Sequence, residues 1–248
     1  MTDVVLYELS PDGVATVTLN RPEARNALNI ALAQGLGAAC RQAVADDAKL
    51  VIIRANGPVF SAGADLKERQ GMTDDAVRAR RLKAFAAYDA LEHLPMPTIA
   101  IVAGPAVGSG AEIAAACDFI VATPAATFRT PEALWGTVGA TQRIPRIIGK
   151  RLAKDMMFTG RTLSAEEARE AGLVARVVAP EALEETIGGI VATIVKAPTI
   201  GLRLAKRCLD QGMELDPRGA LATEILAIEE SIVAAEWKRA MAGFGTKP

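Results

Sequence analysis

Glu112 stands in the first turn of an apolar helix that follows a glycine-rich turn, and this combination could support acid–base chemistry. Three glycines within residues 104–110 separate an apolar, β-branched run at 98–103 from good helix formers at 111–117. The first N–H groups of such a helix lack intrahelical partners and favour negative charge. The turn could therefore bind an oxyanion next to a carboxylate that carries protons.

A second glycine-containing loop, residues 61–65, also follows an apolar strand-like run and precedes a helical segment. Both loops could direct backbone N–H groups into one crevice and form an oxyanion hole. Loss of one such donor typically raises the activation barrier by about 3–4 kcal/mol. Taken alone, either loop is equally compatible with an ordinary turn.

Glu132, in the segment TPEAL, is the second candidate for proton transfer. A glutamate on a surface helix is usually only solvated, and this reading stays open for both glutamates. Glu112 stands out because the apolar residues at 113–116 predict a buried helix. An unpaired carboxylate is costly there, and burial raises its pKa towards the range suited to proton transfer.

Other catalytic classes have little support in the sequence. His93 is the only histidine, and it lies just before Pro95 at a helix end, so we interpret it as structural. No arrangement for a serine or cysteine nucleophile accompanies it. Ile113 stands where the third glycine of a dinucleotide fingerprint would be, which disfavours a nicotinamide-dependent oxidoreductase, and the P-loop lysine is missing. Arg80 and Arg81 predict a solvated basic face that could also meet phosphates.

Composition argues against several partners. The 248 residues include 28 basic and 29 acidic side chains, which gives no overall attraction to nucleic acid or acidic lipid. Cys40, Cys117 and Cys208 are too far apart in sequence for a short-spaced zinc or redox motif. No apolar run approaches the length of a membrane span, and the N-terminal residues lack a basic leader. We expect a cytoplasmic protein with no metal, nucleic-acid or membrane partner.

Strand and helix patterns alternate along the chain. The strand-like runs lie at residues 14–19, 50–54, 98–103, 119–122 and 173–178. Helical patterns at 30–44 and 73–93 separate the first three runs, and Ser164 with Glu167 forms a capping box. This alternation predicts an α/β architecture with ligands bound at the carboxyl ends of the strands.

The last part of the chain is helical in composition. Asp216 and Pro217 are suited to N-cap and first helical positions. An apolar stripe follows at Leu221, Ile225, Ile228 and Ile232. This stripe must pack on the core or on another subunit. We predict an α/β core over residues 1–195, a helical oligomerisation region over 196–248, and a homo-oligomer.

Five segments in order resemble the enoyl-CoA hydratase/isomerase, or crotonase, family. They are FSAGADLKE, PTIAIVAGPAVGSGAEIAAACD, TFRTPEALWG, TQRIPRIIG and TGRTLSAEEAREAGLV. The resemblance runs from about residue 14 to 178, and more loosely to the end. It implies a spiral of repeated ββα units, a helical C-terminal trimerisation region, and a homotrimer or dimer of trimers.

The resemblance also implies roles for individual residues. The N–H groups of Ala64 and Ser109 would bind the thioester carbonyl, while Glu112 and Glu132 would hold a water and deliver a proton to the α carbon. The residues that would cradle the CoA moiety are Arg25, Asn26, Ala27, Ala62, Ala64, Asp65, Leu66 and Lys67. No cofactor beyond the CoA of the substrate is implied.

The implied activity is a lyase of fatty acid metabolism that adds water to the 2,3-double bond of an acyl-CoA thioester. The same oxyanion hole could instead serve an isomerase, a decarboxylase or a thioester hydrolase, and a non-catalytic acyl-CoA-binding protein is a further alternative. Candidate walls of the acyl pocket are Phe85, Tyr88 and Trp135, although such residues are more often plain core.

The sequence departs from the family pattern near the expected site. Ser109 replaces a glycine, which would be strained if positive φ were required. Arg129 replaces a small residue and could pair with Glu132 or with an acidic acyl group. The segment WGTVGATQR is shorter than the usual glycine-rich link, which helps to hold the catalytic water in the family. The usual basic and aromatic C-terminal motif is replaced by Lys238, Arg239 and Phe244.

Overall fold

The computed structural model describes residues 4–242, so the prediction for Phe244 lies outside the described residues. The strands are β1 (Val5–Leu9), β2 (Val14–Leu19), β3 (Leu50–Ala55), β4 (Thr98–Val102), β5 (Ala106–Val107), β6 (Phe119–Ala122), β7 (Thr127–Arg129), β8 (Leu163–Ser164) and β9 (Arg176–Val177). Six of them form a sheet in the order β1-β2-β3-β4-β6-β9, and the other three form a sheet in the order β5-β7-β8.

Helices fill the connections and the C-terminal region. They are α1 (Ile30–Ala45), α2 (Leu66–Arg69), α3 (Asp74–Glu92), α4 (Ser109–Ala115), α5 (Arg143–Ile148), α6 (Lys150–Thr159), α7 (Ala165–Glu170), α8 (Leu183–Lys196), α9 (Thr199–Gly212), α10 (Pro217–Ala234) and α11 (Glu236–Ala242). Short 3₁₀ turns occupy Pro22–Ala24, Glu132–Trp135 and Pro180–Ala182.

The larger sheet is parallel from β2 to β9 and is covered on both faces, which explains its continuous apolar strands. In β3, Val51 and Ile53 face the main core cluster, which also contains apolar residues of α1, α3 and α4. Leu50 and Ile52 face a second cluster that includes Leu183 of α8. The predicted α/β alternation is confirmed, and the sheet fixes where the connecting loops emerge.

Several local predictions are confirmed. Asn29 caps α1 by accepting from the N–H of Leu32 at 2.9 Å. Ser164 and Glu167 form the capping box of α7, and Asp216 caps α10 with Pro217 at its first position. The predicted strand over residues 173–178 is wrong in extent. Only β9 forms, because the N–H groups of Leu173 and Val174 donate to the carbonyl of Ala168 in α7.

The C-terminal helices leave apolar side chains uncovered in the protomer. Members of the predicted stripe on α10 are about half exposed, including Leu221 at 56% and Ile225 at 51%. The predicted boundary at residue 195 falls in the last turn of α8. Within residues 4–242 no single helix is long and apolar enough to span a membrane; a bent pair, Pro180–Lys196 and Thr199–Gly212, meets the length and composition test.

Candidate active site

The two glycine-containing loops predicted to share a crevice are in direct contact. The N–H of Val107 donates to the carbonyl of Ser61 at 2.9 Å. Gly63 has a φ of +90°, and a Cβ added there would lie 2.8 Å from the carbonyl oxygen of Val107 and 3.8 Å from the nitrogen of Ser109. Only glycine permits this approach, so the residue choice at position 63 brings the two loops together.

Two backbone donors at this contact are free. Within residues 4–242, no protein acceptor takes the N–H of Ala64 or of Ser109. Leu28 pairs with the peptide groups on either side of Ala64, receiving a bond from the N–H of Asp65 at 2.9 Å, so the Ala64 N–H points away from that pairing. Ser109 is the first residue of α4 and needs no intrahelical acceptor.

Ser109 does not need glycine-like backbone freedom. The positive φ of this turn lies at Gly108, with φ +51° and ψ −112°, whereas Ser109 is not among the described residues with positive φ. The serine at position 109 therefore causes no backbone strain. The side chain of Ser109 is free to make a contact that a glycine could not.

Glu112 is a buried carboxylate on α4, with only 6% of the residue exposed. Its Oε1 atom lies 3.8 Å from Nη1 of Arg143. Burial raises the pKa of Glu112 and the nearby Glu132 raises it further, while Arg143 lowers it. The predicted buried, perturbed carboxylate is therefore where the helix pattern placed it.

Glu132 lies beside the same turn, at the start of its 3₁₀ turn. A Cβ added to Gly108 would overlap Oε1 of Glu132, and one added to Gly139 would lie 3.1 Å from Cγ of Glu132. Its Oε2 atom is buried and has no hydrogen-bond partner among the described residues. Burial raises the pKa of Glu132, opposed by its own backbone N–H and by Arg81. An unsatisfied buried carboxylate oxygen is unusual and indicates a functional group.

The short link after Glu132 reaches both carboxylates. Gly139 lies against the Glu132 side chain, and Ala140, whose N–H lowers the pKa of Glu112, lines the same cavity as that carboxylate. Ala140 is buried with a φ of +55°, a conformation that costs a non-glycine residue about 1 kcal/mol. Arg81 of α3 holds the link from outside by donating from Nη1 to the carbonyl of Val138 at 2.7 Å.

The arginines on α3 do not form the predicted basic face. Arg80 is only 7% exposed, donates from Nε to Glu68 at 2.7 Å, and also bonds the carbonyl of Leu28. Arg81 donates to the carbonyl of Val138 in the link after Glu132. The prediction of a solvated basic face was wrong, because the sequence of a helix does not show which of its charged side chains meet partners in other segments.

Arg129 does not pair with Glu132 in the described part of the chain. Its Nε donates to the carbonyl of Gly160 at 2.9 Å, which ties the strand before the Pro131–Glu132 loop to the end of α6. His93 is exposed at the C-terminal end of α3, where its ring lies 3.2 Å from Asp89, in keeping with a structural role. Trp135 is 74% exposed, so in the protomer it does not form the buried pocket wall that was predicted for it.

The segments predicted to cradle CoA are neighbours on the surface. The N–H of Ala62 donates to the carbonyl of Arg25 at 2.9 Å, and Arg25 has a φ of +52°. The carboxylate of Asp65 is used locally, because it caps α2 and pairs with Arg21 at 3.1 Å. The remaining members of the predicted set, Asn26, Ala27, Leu66 and Lys67, lie in the same two segments, and Leu66 and Lys67 are exposed. Asn26 is fully buried instead, and its side chain donates to the carbonyls of Asn56 and Val59.

A cavity of about 1260 Å³ opens next to Glu112, between α3, α4, α5 and α9. Its wall includes Phe85, Ala140, Arg143 and Leu209. No pattern in the sequence pointed to Arg143, which lies on α5 and reaches the carboxylate of Glu112 only through tertiary packing. The lining of the cavity includes Glu112, but neither Ala64 nor Ser109 is among the lining residues.

Comparison with known proteins identifies the family of this chain. Residues 10–247 match the family model described as enoyl-CoA hydratase/isomerase. The chain is 36% identical over 236 residues to the short-chain-enoyl-CoA hydratase of Clostridium acetobutylicum, covering 93% of this chain and 90% of that protein.

Solved structures share the fold along nearly the whole chain. The enoyl-CoA hydratase from Mycobacterium smegmatis superposes with a TM-score of 0.93 at 32% identity, covering 98% of this chain and 96% of that one. The enoyl-CoA hydratase from Bacillus anthracis superposes with a TM-score of 0.92 at 34% identity, covering 97% and 95%. The expected spiral of ββα units followed by a helical C-terminal region is confirmed.

Proposed function

Because this chain belongs to the enoyl-CoA hydratase/isomerase family, we propose that it is a hydratase that adds water to the 2,3-double bond of an acyl-CoA thioester. One observation carries the proposal. The buried carboxylate of Glu112 and that of Glu132, whose Oε2 atom is buried, interact electrostatically beside a turn that also supplies the Ser109 N–H, which has no acceptor within residues 4–242. Water addition needs one group to take a proton and another to give one, and this pair provides both.

The thioester oxygen lies between the N–H groups of Ala64 and Ser109. As water attacks C3, the electron pair of the double bond moves through C2 to this oxygen and forms an enolate. The two donors stabilise the developing negative charge, which is the interaction that favours the transition state over the ground state. The enolate then collapses to the thioester as C2 takes a proton.

The two carboxylates divide the proton transfers. Glu112 has Arg143 and the Ala140 N–H beside it, which favour its ionised form, so it takes the proton from water. The Oε2 atom of Glu132 is buried and has no hydrogen-bond partner within residues 4–242, which favours the protonated form, so Glu132 delivers the proton to C2. A proton then passes from Glu112 to Glu132, and the net change is one water added.

The CoA moiety of the substrate binds along the exposed surface formed by the loops around Arg25 and Lys67. The reaction as written uses only acid–base and hydrogen-bonding groups of the chain, so we propose no cofactor beyond that CoA moiety. The uncovered apolar residues of α10 support a homotrimer or a dimer of trimers.

Product analysis tests the proposed reaction. Purified protein is incubated with 2-enoyl-CoA thioesters of increasing chain length in ¹⁸O-labelled water, and the products are examined by mass spectrometry. We expect 3-hydroxyacyl-CoA carrying the label at C3. A shifted double bond, a free acid, loss of carbon dioxide, or unchanged thioester would instead assign an isomerase, a hydrolase, a decarboxylase or a binding protein.

A further inference from the structure

The guanidinium group of Arg143 lies between two carboxylates at the candidate site. Its Nη2 atom donates a hydrogen bond to Oε2 of Glu92, whereas its Nη1 atom comes only within 3.8 Å of Oε1 of Glu112. Within residues 4–242 the bond to Glu92 is the one hydrogen bond of this guanidinium group, because its Nε atom is buried without a partner. Arg143 is therefore bonded to Glu92 and only close to Glu112.

One face of α3 holds the guanidinium group in place. Tyr88 and Glu92 are four residues apart on this helix, so their side chains lie on the same face. The Tyr88 side chain is buried, and the guanidinium carbon of Arg143 lies 5.8 Å from the centroid of its ring. A cation is attracted to the face of an aromatic ring. The ring and the Glu92 carboxylate thus hold Arg143 on the α3 side, while Glu112 approaches it from α4.

The other cations near this site are committed elsewhere. Lys206 of α9 pairs with Asp118 at 2.8 Å, and Arg146 pairs with Glu214. In the described part of the chain, Arg143 is the only cation in an ion pair with Glu112. The remaining titratable groups that face Glu92 or Glu112 from the packed elements are Tyr88, His93, Glu132 and Asp210. The charge state of Glu112 therefore depends on where Arg143 is held.

Removal of the Glu92 carboxylate would leave the guanidinium group without its hydrogen bond. Glu112 is the other carboxylate in an ion pair with Arg143, and a short movement would close a charge-assisted bond between them. Such a bond would occupy an oxygen of Glu112, and the closer cation would lower the pKa of its carboxyl group. Glu112 would then be a weaker base.

We propose that Glu92 is a positioning residue, which holds the guanidinium group of Arg143 short of a direct bond to Glu112 and so leaves the Glu112 carboxylate open to water. The functional consequence rests on the proposed role of Glu112 as the base. The arrangement of the three side chains does not depend on that role, so the ligand-free protein can be used to test it.

A carboxyl titration tests the inference independently of turnover. The pKa of Glu112 is followed by ¹³C NMR in ligand-free protein labelled at the glutamate carboxyl carbon, and its signal is assigned by its loss in Glu112→Gln. The variants are Glu92→Met, Arg143→Met and the double variant. Glu214→Met is the matched control, because Glu214 lines the same cavity but pairs with Arg146.

We expect Glu92→Met to lower the pKa of Glu112, because Arg143 closes on Glu112 and the nearby negative charge of Glu92 is lost. The acidic limb of the pH profile of kcat/KM should move to lower pH with it. In the Arg143→Met background only the direct effect of the Glu92 charge remains, so Glu92→Met should shift this pKa by less than about half as much. Glu214→Met should match wild type.

Two results would overturn the inference. One is a Glu112 pKa that is unchanged or raised in Glu92→Met, and the other is an equal shift with and without Arg143, which would mean that Glu92 acts through its own charge alone. If either methionine variant fails to fold, Glu92→Asp decides, because it keeps the charge and shortens the side chain. A changed Glu112 pKa in Glu92→Asp supports the inference, and an unchanged one overturns it. The expected titration pattern in a protein that hydrates no thioester would reject hydration alone.

Discussion

The carboxylate of Glu132 lies against the α carbon of Gly108, in the space that a side chain at position 108 would occupy. The N–H of the next residue, Ser109, has no acceptor within residues 4–242. One turn therefore holds the proposed proton donor and the proposed oxyanion donor side by side. The glycine is required by this seating as well as by its positive φ of +51°.

Gly108→Ala should abolish most activity by displacing Glu132. We expect a loss of about 10²-fold or more in hydration rate, the size associated with a misplaced reacting group. Gly172→Ala is the control, because Gly172 has a φ of +84° and open space around it. Both variants should lose about 1 kcal/mol of stability from the backbone conformation. Equal activity of the two variants would show that the contact with Glu132 is unimportant.

Arg143→Met should move the acidic limb of the pH–rate profile to higher pH. Arg143 lowers the pKa of Glu112, so its removal lets burial raise that pKa further, and the ionised base appears only at higher pH. Arg146→Met, which loses an exposed pair with Glu214, should leave the profile in place. An unshifted acidic limb in Arg143→Met would mean that Glu112 does not limit the rate as a base.

Glu132→Gln should stabilise the fold increasingly as pH rises. The native pKa of Glu132 is raised, so the wild-type protein loses stability as pH increases through the ordinary glutamate range and up to that raised value. The uncharged variant escapes this loss. Urea denaturation at several pH values should therefore show a gap in unfolding free energy that is smallest at low pH. Glu184→Gln, at an exposed ion pair with Arg54, should show no such gap, and a gap independent of pH for Glu132→Gln would contradict the assignment.

Leu226→Asp should weaken assembly of the protein. Leu226 lies on α10 and is 64% exposed in the protomer, so the change should leave the protomer folded while burying a charge at any interface formed by this face. Sedimentation velocity should show a lower mass than wild type. Glu224→Gln on the same helix should assemble normally. An unchanged mass for Leu226→Asp would place the interface elsewhere.

The local pattern of the sequence predicted those features of the site that local chemistry decides. Glycine-containing turns after apolar strands predicted two loops that meet in the fold, and the alanine-rich surroundings of Glu112 predicted its burial. The oxyanion role of these loops stays a prediction. The proton-transfer roles of both glutamates, and the CoA-binding segments, stay predictions.

The remaining contacts depend on packing between distant elements. Arg143 of α5 reaches Glu112 and also lies over the ring of Tyr88 on α3, and neither spacing in the sequence follows a helix or strand period. Arg80 looked like part of a solvated face because its partners, Glu68 and the Leu28 carbonyl, lie in other segments. The positive φ of Ala140 could not be predicted either, because an alanine in the sequence does not indicate a left-handed backbone conformation.

The decisive measurement is the hydration rate, as kcat/KM for a 2-enoyl-CoA thioester, of Glu112→Gln and Glu132→Gln beside the exposed control Glu184→Gln. We expect each site variant to fold and to lose about 10²- to 10⁴-fold, the contribution of a positioned acid or base, while the control stays within about 2-fold of wild type. Retention of wild-type hydration by either folded site variant would contradict the assignment of that carboxylate to water addition.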